Sequence, residues 1–155
     1  RDQNTIYGFR RPGMGSGMEN QNDYMLYRAS FDPAKLRASV WPNDGFKRLK
    51  GKKYEAVDTQ WQTKKLPIWV RAMVLAADTL VVAGPLTPER NPDADELLAG
   101  KHGAKLLRLS REDGAVLHEM KLPAPPVWDG MAVVPGRCVV SCRDKVLRCF
   151  GAAGH

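Results

Sequence analysis

Three charged or aromatic residues lie in two segments of the chain that have similar sequences. Arg71 lies in segment 70–75, and Trp128 and Asp129 begin segment 128–133, which has a similar apolar pattern. Charged and aromatic side chains placed together can bind a ligand or a partner peptide. An Arg–Asp pair between neighbouring strands can equally hold two structural units together. Both roles stay open for these three residues.

Other reactive residues lack the spacing that catalysis or metal binding requires. Asp93, Asp95 and Glu96 are close together but lack the Gly-centred pattern of a calcium loop, which favours a solvated acidic loop. The Gly-rich segment 13–17 is not followed by the lysine of a phosphate-binding loop. No serine lies in a Gly-x-Ser-x-Gly motif. We therefore expect no catalytic residue and no metal site in this chain.

The cysteines show neither a zinc-binding nor a haem-attachment spacing. We interpret them as free thiols that act as small buried apolar residues: Cys138, Cys142 and Cys149. A two-residue turn at 144–145 would place Cys142 opposite Leu147 and Cys149 opposite Val140.

The elements that must position these residues are predicted to be strands. Short apolar runs alternate with turn signals, of which Asp113-Gly114 is the strongest. The predicted strands are 5–9, 24–31, 69–76, 79–84, 104–110, 116–122, 131–134, 138–142 and 146–150. The runs at 69–76 and 79–84 indicate a hairpin buried on both faces, whereas the alternation at 116–122 indicates a half-exposed outer strand.

An internal repeat relates the two segments named first. Segment 70–75 aligns with segment 128–133 at an offset of 58, and the same offset places Val81 on Val139. The first copy carries a long loop, 85–103. Removing about 14 residues of that loop leaves a period of about 44, which is typical of the four-stranded blades of β-propellers.

The chain has 155 residues and a formal net charge of +7, and no apolar run is long enough for a membrane helix. Segment 32–66 is polar and basic and is predicted to be an insertion that contacts a partner. Its candidate contact residues are Trp41, Phe46, Lys47, Arg48, Tyr54 and Trp61. Aromatic residues do not interleave with the basic run as nucleic-acid stacking requires, so nucleic acid is not the expected partner.

One stretch resembles a known family. Segment 104–118, AKLLRLSREDGAVLH, resembles the pyrroloquinoline quinone (PQQ) repeat of quinoprotein-type β-propellers. Segments 70–85 and 126–132 are similar to the last two blades of large bacterial PQQ-binding-like proteins of planctomycete type. The resemblance implies an all-β fold, a partial propeller of about two to two-and-a-half four-stranded antiparallel blades. It also implies export to the periplasm or the extracellular space.

These observations divide the chain into predicted parts and predict a role. The parts are the end of a preceding blade (1–31), the basic insertion (32–66), a complete blade with its loop (67–122), a three-stranded last blade (123–151) and a tail (152–155). The predicted role is a non-catalytic binding or scaffolding module within a larger protein or complex.

The alternative role is part of a PQQ-dependent quinoprotein oxidoreductase whose catalytic blades lie outside this chain. PQQ and calcium are expected only under that alternative. Either role predicts that the chain cannot close a propeller alone, because propellers need roughly four to eight blades. The expected partners are the remaining blades, on another chain or an upstream fragment, and other protein subunits.

Overall fold

The computed structural model describes residues 4–10, 24–32, 34, 57–64, 66–87 and 93–151. Over these residues 65% of the chain is β-strand, and the helical content is one short helix. Ten strands form three antiparallel sheets, two of three strands and one of four. The expected all-β class is therefore confirmed for the described part. The described residues do not form a closed ring of sheets.

Sheet 1 contains β1 (Thr5–Arg10), β2 (Met25–Phe31) and β3 (Val57–Lys64), in that order. β3 lies inside segment 32–66, so the insertion is shorter than predicted. Its sequence, VDTQWQTK, is polar on both faces, and Trp61 is its one aromatic residue. Apolar alternation is therefore absent, and the strand is defined by its backbone pairing with β2.

Sheet 2 contains β4 (Ala72–Ala76), β5 (Thr79–Pro85), β6 (Ala104–Ser110) and β7 (Val116–Leu122), paired in chain order. β5 is buried along its whole length, because both of its faces are covered. β4 was predicted to be buried with it but is only partly buried, because it is the edge strand of the sheet. Most residues of β7 are exposed, as expected for an outer strand.

Sheet 3 contains β8 (Pro126–Val134), β9 (Arg137–Cys142) and β10 (Leu147–Gly151), again paired in chain order. β8 begins five residues before the predicted strand 131–134. The first half of β8 was not predicted because it lacks regular pairing. Pro126 pairs with Cys142, and the pairing with β9 resumes only at Met131.

The turn between β9 and β10 differs from the predicted two-residue turn. Leu147 pairs with Ser141 and Cys149 pairs with Val139, so the predicted partners were wrong by one residue. The turn contains three residues and ends at Lys145, whose φ is 64°. In three-residue hairpin loops the third residue usually has left-handed backbone angles, and glycine is the commonest residue at that position.

The strand registers reproduce the internal repeat. Met73 pairs with Val82 in sheet 2, and Met131 pairs with Val140 in sheet 3. Both members of the second pair lie 58 positions after those of the first. The two hairpins are therefore built on the same register, which supports the alignment made from the sequence.

The third strands give a more accurate length for the loop of the first copy. Leu80 pairs with Leu109, and the equivalent Cys138 pairs with Phe150. Leu109 and Phe150 lie 41 positions apart, which is 17 fewer than 58. The loop in 85–103 therefore exceeds the corresponding turn by 17 residues, not by the 14 or so that the sequence suggested.

The sheets stack through two hydrophobic cores, one on each face of sheet 2. Side chains of β5 alternate between the cores, because successive residues of a strand point to opposite faces. The core between sheets 1 and 2 contains Leu26, Ile68, Val70, Leu80, Val82, Leu107 and Leu109. The core between sheets 2 and 3 contains Val81, Ala83, Ala104, Leu106, Leu122, Val140 and Cys142.

The loop of the first copy contains a short helix, α1 (Ala94–Ala99), where the sequence predicted an acidic loop. The Asp93 side chain caps it by accepting a hydrogen bond from the backbone N–H of Asp95, and Leu97 is fully buried. Six residues are too few for a helical period to show in the sequence. No helix in the described part of the chain has the length and apolar character needed to cross a membrane.

Candidate functional site

The backbone brings the start of β8 against the residue that precedes β4. The N–H of Asp129 donates a hydrogen bond to the carbonyl oxygen of Arg71, with a nitrogen–oxygen distance of 3.0 Å. Asp129 has a φ of 51°, and the pairing of β8 with β9 is interrupted between Pro126 and Met131. The interruption releases this stretch from its own sheet, and Asp is one of the residues that tolerates positive φ. A main-chain contact thus joins sheets 2 and 3.

The side chains of this region meet through an aromatic contact. The Arg71 guanidinium carbon lies 4.8 Å from the centroid of the Trp128 ring. Trp128 is 64% exposed, whereas Arg71 is half-buried. A guanidinium at this distance from an indole face is attracted by the ring quadrupole and stacks well on it. The indole therefore restrains the guanidinium at the protein surface.

The structure brings together all three residues that the repeat had aligned. The contacts differ from the Arg–Asp side-chain pair that the sequence suggested. Among the described residues, Arg71 and Asp129 form no ion pair within 4.0 Å. The link between the sheets is made by their backbones, and the Arg71 side chain is held by Trp128 instead. The Arg71 guanidinium therefore does not take part in joining the two sheets.

Arg143 is a fourth member of the site that the sequence analysis missed. Its guanidinium donates to the carbonyl oxygen of Leu98 in α1 at 2.8 Å, and its backbone N–H donates to the carbonyl oxygen of Pro125 at 2.9 Å. Burial lowers the pKa of Arg71, and the positive charge of Arg143 lowers it further.

A signal for Arg143 was present in the hairpin pattern. A chain that leaves the second strand of a hairpin returns to the end where the first strand began, and Pro126 pairs with Cys142 accordingly. The residue after Cys142 must therefore lie near Pro125, just before the start of β8. We refer to Arg71, Trp128, Asp129 and Arg143 as the Arg71–Trp128 site.

Trp61 makes an intramolecular contact. Its indole N–H donates to the carbonyl oxygen of Arg111 at 2.9 Å, and the same oxygen accepts a hydrogen bond from Arg28 at 3.0 Å. The Arg111 side chain in turn donates to the Tyr7 hydroxyl at 3.0 Å. Sheet 1 is thus held against the turn between β6 and β7. Partner contact through Trp61 stays a prediction.

The other residues predicted to contact a partner lie outside the described residues: Trp41, Phe46, Lys47, Arg48 and Tyr54. The acidic residues of the loop are accounted for by α1, since Asp93 caps it and Glu96 pairs with Lys101 at 2.8 Å. Over the described ranges, no three His, Cys, Asp or Glu side chains are grouped closely enough to bind a metal ion.

The cysteines are free but differ in exposure. Cys142 is buried in the core between sheets 2 and 3, Cys138 is half-buried and Cys149 is exposed. The expectation that all three are buried is therefore wrong for Cys149, because its side chain lies on a face of sheet 3 that no described residue covers. Burial raises the pKa of the Cys138 thiol, and the nearby Cys149 raises it further.

No family model matches the chain, and no curated protein matches it. The resemblance to PQQ-type propellers therefore stays a prediction.

Proposed function

We propose that this chain is a segment of a quinoprotein-like β-propeller and acts as a non-catalytic binding or scaffolding module. Two observations support the proposal. The sheets stack face to face, and the registers of sheets 2 and 3 repeat at an offset of 58. Radially stacked four-stranded sheets are the arrangement found in propellers. Export to the periplasm or the extracellular space belongs to the same proposal and rests on the resemblance alone.

The uncovered face of sheet 3 is the observation that carries the proposal. Val140 and Cys142 point into the core shared with sheet 2, so Ser141 and its partner Leu147 lie on the opposite face. Leu147 is 70% exposed, and Val134 on the same face is 50% exposed. Apolar side chains on one contiguous face mark an interaction surface.

The repeat indicates what should cover this face. Val81 and Ala83 of sheet 2 pack against sheet 3. Their equivalents at the offset of 58 are Val139 and Ser141, which lie on the uncovered face of sheet 3. The same position in the repeat is thus covered by a sheet in one copy, and in the next copy no described residue covers it. We infer that a further sheet of the same kind packs there, contributed by residues outside 1–155.

The proposal is tested by placing a charge on the uncovered face. Leu147→Asp should reduce the assembly of this chain with its partner subunits, or with the rest of its gene product, because burying an unpaired carboxylate is unfavourable. Leu117→Asp is the matched control, since Leu117 is also an exposed leucine, at 55%, but lies on the outer strand β7.

Co-purification from the native host followed by light scattering measures the assembly. Loss of assembly with Leu147→Asp and retention with Leu117→Asp would support the proposal. Equal retention with both variants would show that the face of sheet 3 is not an interface, and the scaffolding role would fall with it.

A further inference from the structure

We propose that the outer edge of β10 pairs with an antiparallel strand from outside residues 1–155, and that Arg108 and His118 of sheet 2 contact the residues that lead into that strand. The inference rests on the proposed packing of a further sheet and deepens it. The proposed function concerns one face of sheet 3, whereas this inference concerns the edge of that sheet and the side chains of sheet 2 beside it.

Sheet 1 is a third copy of the repeat. The pairing of β2 with β3 shifts by one residue after Arg28, and the pairing of β6 with β7 shifts in the same way after Arg108. This shared irregularity makes the two arginines equivalent. Arg28 pairs with Trp61 and Arg108 pairs with His118, so the aromatic residues on the outer strands are equivalent as well.

The two copies also present the same face to the sheet that follows. Leu26 lies in the core between sheets 1 and 2, and its equivalent Leu106 lies in the core between sheets 2 and 3. Alternate residues of a strand share a face. Arg28 therefore faces sheet 2, and Arg108 faces sheet 3. The sequences around the two arginines, LYRAS and LLRLS, share leucine, arginine and serine at the same positions.

In sheet 1 the arginine and the aromatic residue contact the connection between the last two strands of sheet 2. Arg28 and Trp61 both donate to the carbonyl oxygen of Arg111, at 3.0 and 2.9 Å. Arg28 also forms an ion pair with Glu112 at 3.5 Å. Since this connection leads into β7, the two side chains mark the place where an outer strand enters the neighbouring sheet.

The equivalent side chains of sheet 2 face a position that no described residue fills. Arg108 and His118 are exposed, whereas the Arg28 side chain is only 13% exposed. Within the described ranges β10 is the outer strand of sheet 3, although its equivalent β6 pairs with β7. A strand antiparallel to β10 would enter sheet 3 beside Arg108 and His118, as β7 enters sheet 2 beside Arg28.

The repeat also indicates the source and the chemistry of this strand. In sheets 1 and 2 the outer strand follows its neighbour along the chain. Four residues follow Gly151 in the sequence, fewer than the seven residues of β7, so residues 1–155 do not supply the strand in this order. The contacts of Arg28 indicate that the residues leading into the strand offer a backbone carbonyl oxygen and a carboxylate.

The backbone N–H groups of β10 provide a direct test. The N–H of Cys142 donates to the carbonyl oxygen of Val146 at 3.0 Å, and hydrogen-bonded pairs alternate along an antiparallel ladder. Arg148 lies two residues beyond Val146, so its N–H also faces β9. The N–H groups of Leu147 and Cys149 therefore face the open side of β10, and we call them the edge amides. The Arg148 N–H is the reference amide.

The experiment is hydrogen–deuterium exchange of the complete gene product or of its native assembly, with fragmentation that resolves single amides. We expect slow exchange of both edge amides, because a paired strand accepts their hydrogen bonds. Protection of the reference amide reports that sheet 3 is folded. Native mass spectrometry of the same sample gives the composition of the assembly.

Variants test the contact with sheet 2. Arg108→Gln should speed exchange of the edge amides about tenfold and leave the reference amide unchanged, since it removes a hydrogen bond from a charged group and exchange follows local opening. His118→Ala should act in the same direction but less strongly, because a hydrogen bond between neutral groups contributes less. Lys121→Gln removes a positive charge from the opposite face of β7 and should leave every rate unchanged.

Three results would overturn the inference. They are fast exchange of the edge amides while the reference amide is protected, protected edge amides in an assembly that contains only residues 1–155, and equal edge-amide rates in Arg108→Gln and the wild type. The second result would show that a second copy of the chain supplies the strand. If Arg108→Gln also exposes the reference amide, sheet 3 has unfolded in that variant and His118→Ala decides.

The same samples separate this inference from the proposed function. Leu147→Asp tests the face of sheet 3, and the edge amides of the wild type test its edge. Loss of assembly with Leu147→Asp together with unprotected edge amides would refute this inference and leave the scaffolding role standing. Protected edge amides together with full assembly of Leu147→Asp would do the reverse.

Discussion

Replacing Gly114 by alanine should destabilise the contact between sheets 1 and 2. Gly114 is buried in the turn between β6 and β7 and has a φ of 74°. A Cβ atom there would lie 2.8 Å from Cε3 of Trp61, closer than non-bonded carbon atoms approach. The substitution therefore imposes two penalties, backbone strain and a clash with the indole that holds sheet 1.

The two penalties can be separated with a matched glycine. Gly136 has a φ of 75°, and a Cβ atom there would meet nothing within 4 Å. Gly136→Ala should therefore show the backbone strain alone, about 1–2 kcal/mol. Gly114→Ala should add about 1–3 kcal/mol for the overpacked contact with Trp61.

The free energy of unfolding is measured by urea titration of each variant in the assembly that the chain forms, at one fixed protein concentration, because association changes apparent stability. Combining Gly114→Ala with Trp61→Phe should recover part of the loss, since the smaller ring vacates the position of the clash. A non-additive double-mutant cycle of that sign is the expected result. Equal destabilisation by Gly114→Ala and Gly136→Ala would refute the docking of Trp61 on this turn.

Two further predictions concern the thiols and one exposed ion pair. Maleimide should modify Cys149 first, Cys138 more slowly because burial raises its pKa, and Cys142 only on unfolding. Mass spectrometry measures the order of labelling, and early modification of Cys142 would contradict the core between sheets 2 and 3. The hydrogen bond from Arg148 lowers the pKa of Asp144, so Asp144→Asn should reduce stability above the ordinary aspartate pKa of 3.8, and the difference from the wild type should vanish as the pH falls through the lowered pKa. A difference between the two proteins that grows on acidification would have the wrong sign.

The parts of the fold that could be predicted from the sequence are those whose residues are buried on a strand. β5 is apolar at almost every position because sheets cover both of its faces, and its predicted bounds differ from the structure by one residue. β6 and β7 have the predicted bounds, because Asp113-Gly114 supplies the left-handed glycine at the turn between them.

The elements that sequence reasoning missed lack such a pattern. β3 is polar on both faces and is recognised only from its pairing with β2, which is a non-local property. The turn at Lys145 places a non-glycine residue at positive φ, so a sequence rule based on glycine does not find it.

The candidate site was predicted in part. The repeat indicated that Arg71 and Asp129 are equivalent positions, and their backbones do meet. The repeat did not indicate that the Arg71 guanidinium would contact Trp128 and not Asp129. The positions of these side chains depend on the interrupted pairing between β8 and β9. Arg143 was missed because it lies outside both aligned segments, 70–75 and 128–133.

The association state of the isolated chain tests the central claim most directly. The uncovered face of sheet 3 and the outer strand β10, whose Leu147 is 70% exposed, should make the chain associate or aggregate when expressed alone. Light scattering coupled to size-exclusion chromatography over a range of concentrations measures this. The account predicts assemblies larger than one chain, or insoluble protein. A monodisperse monomer that unfolds cooperatively in urea would contradict it.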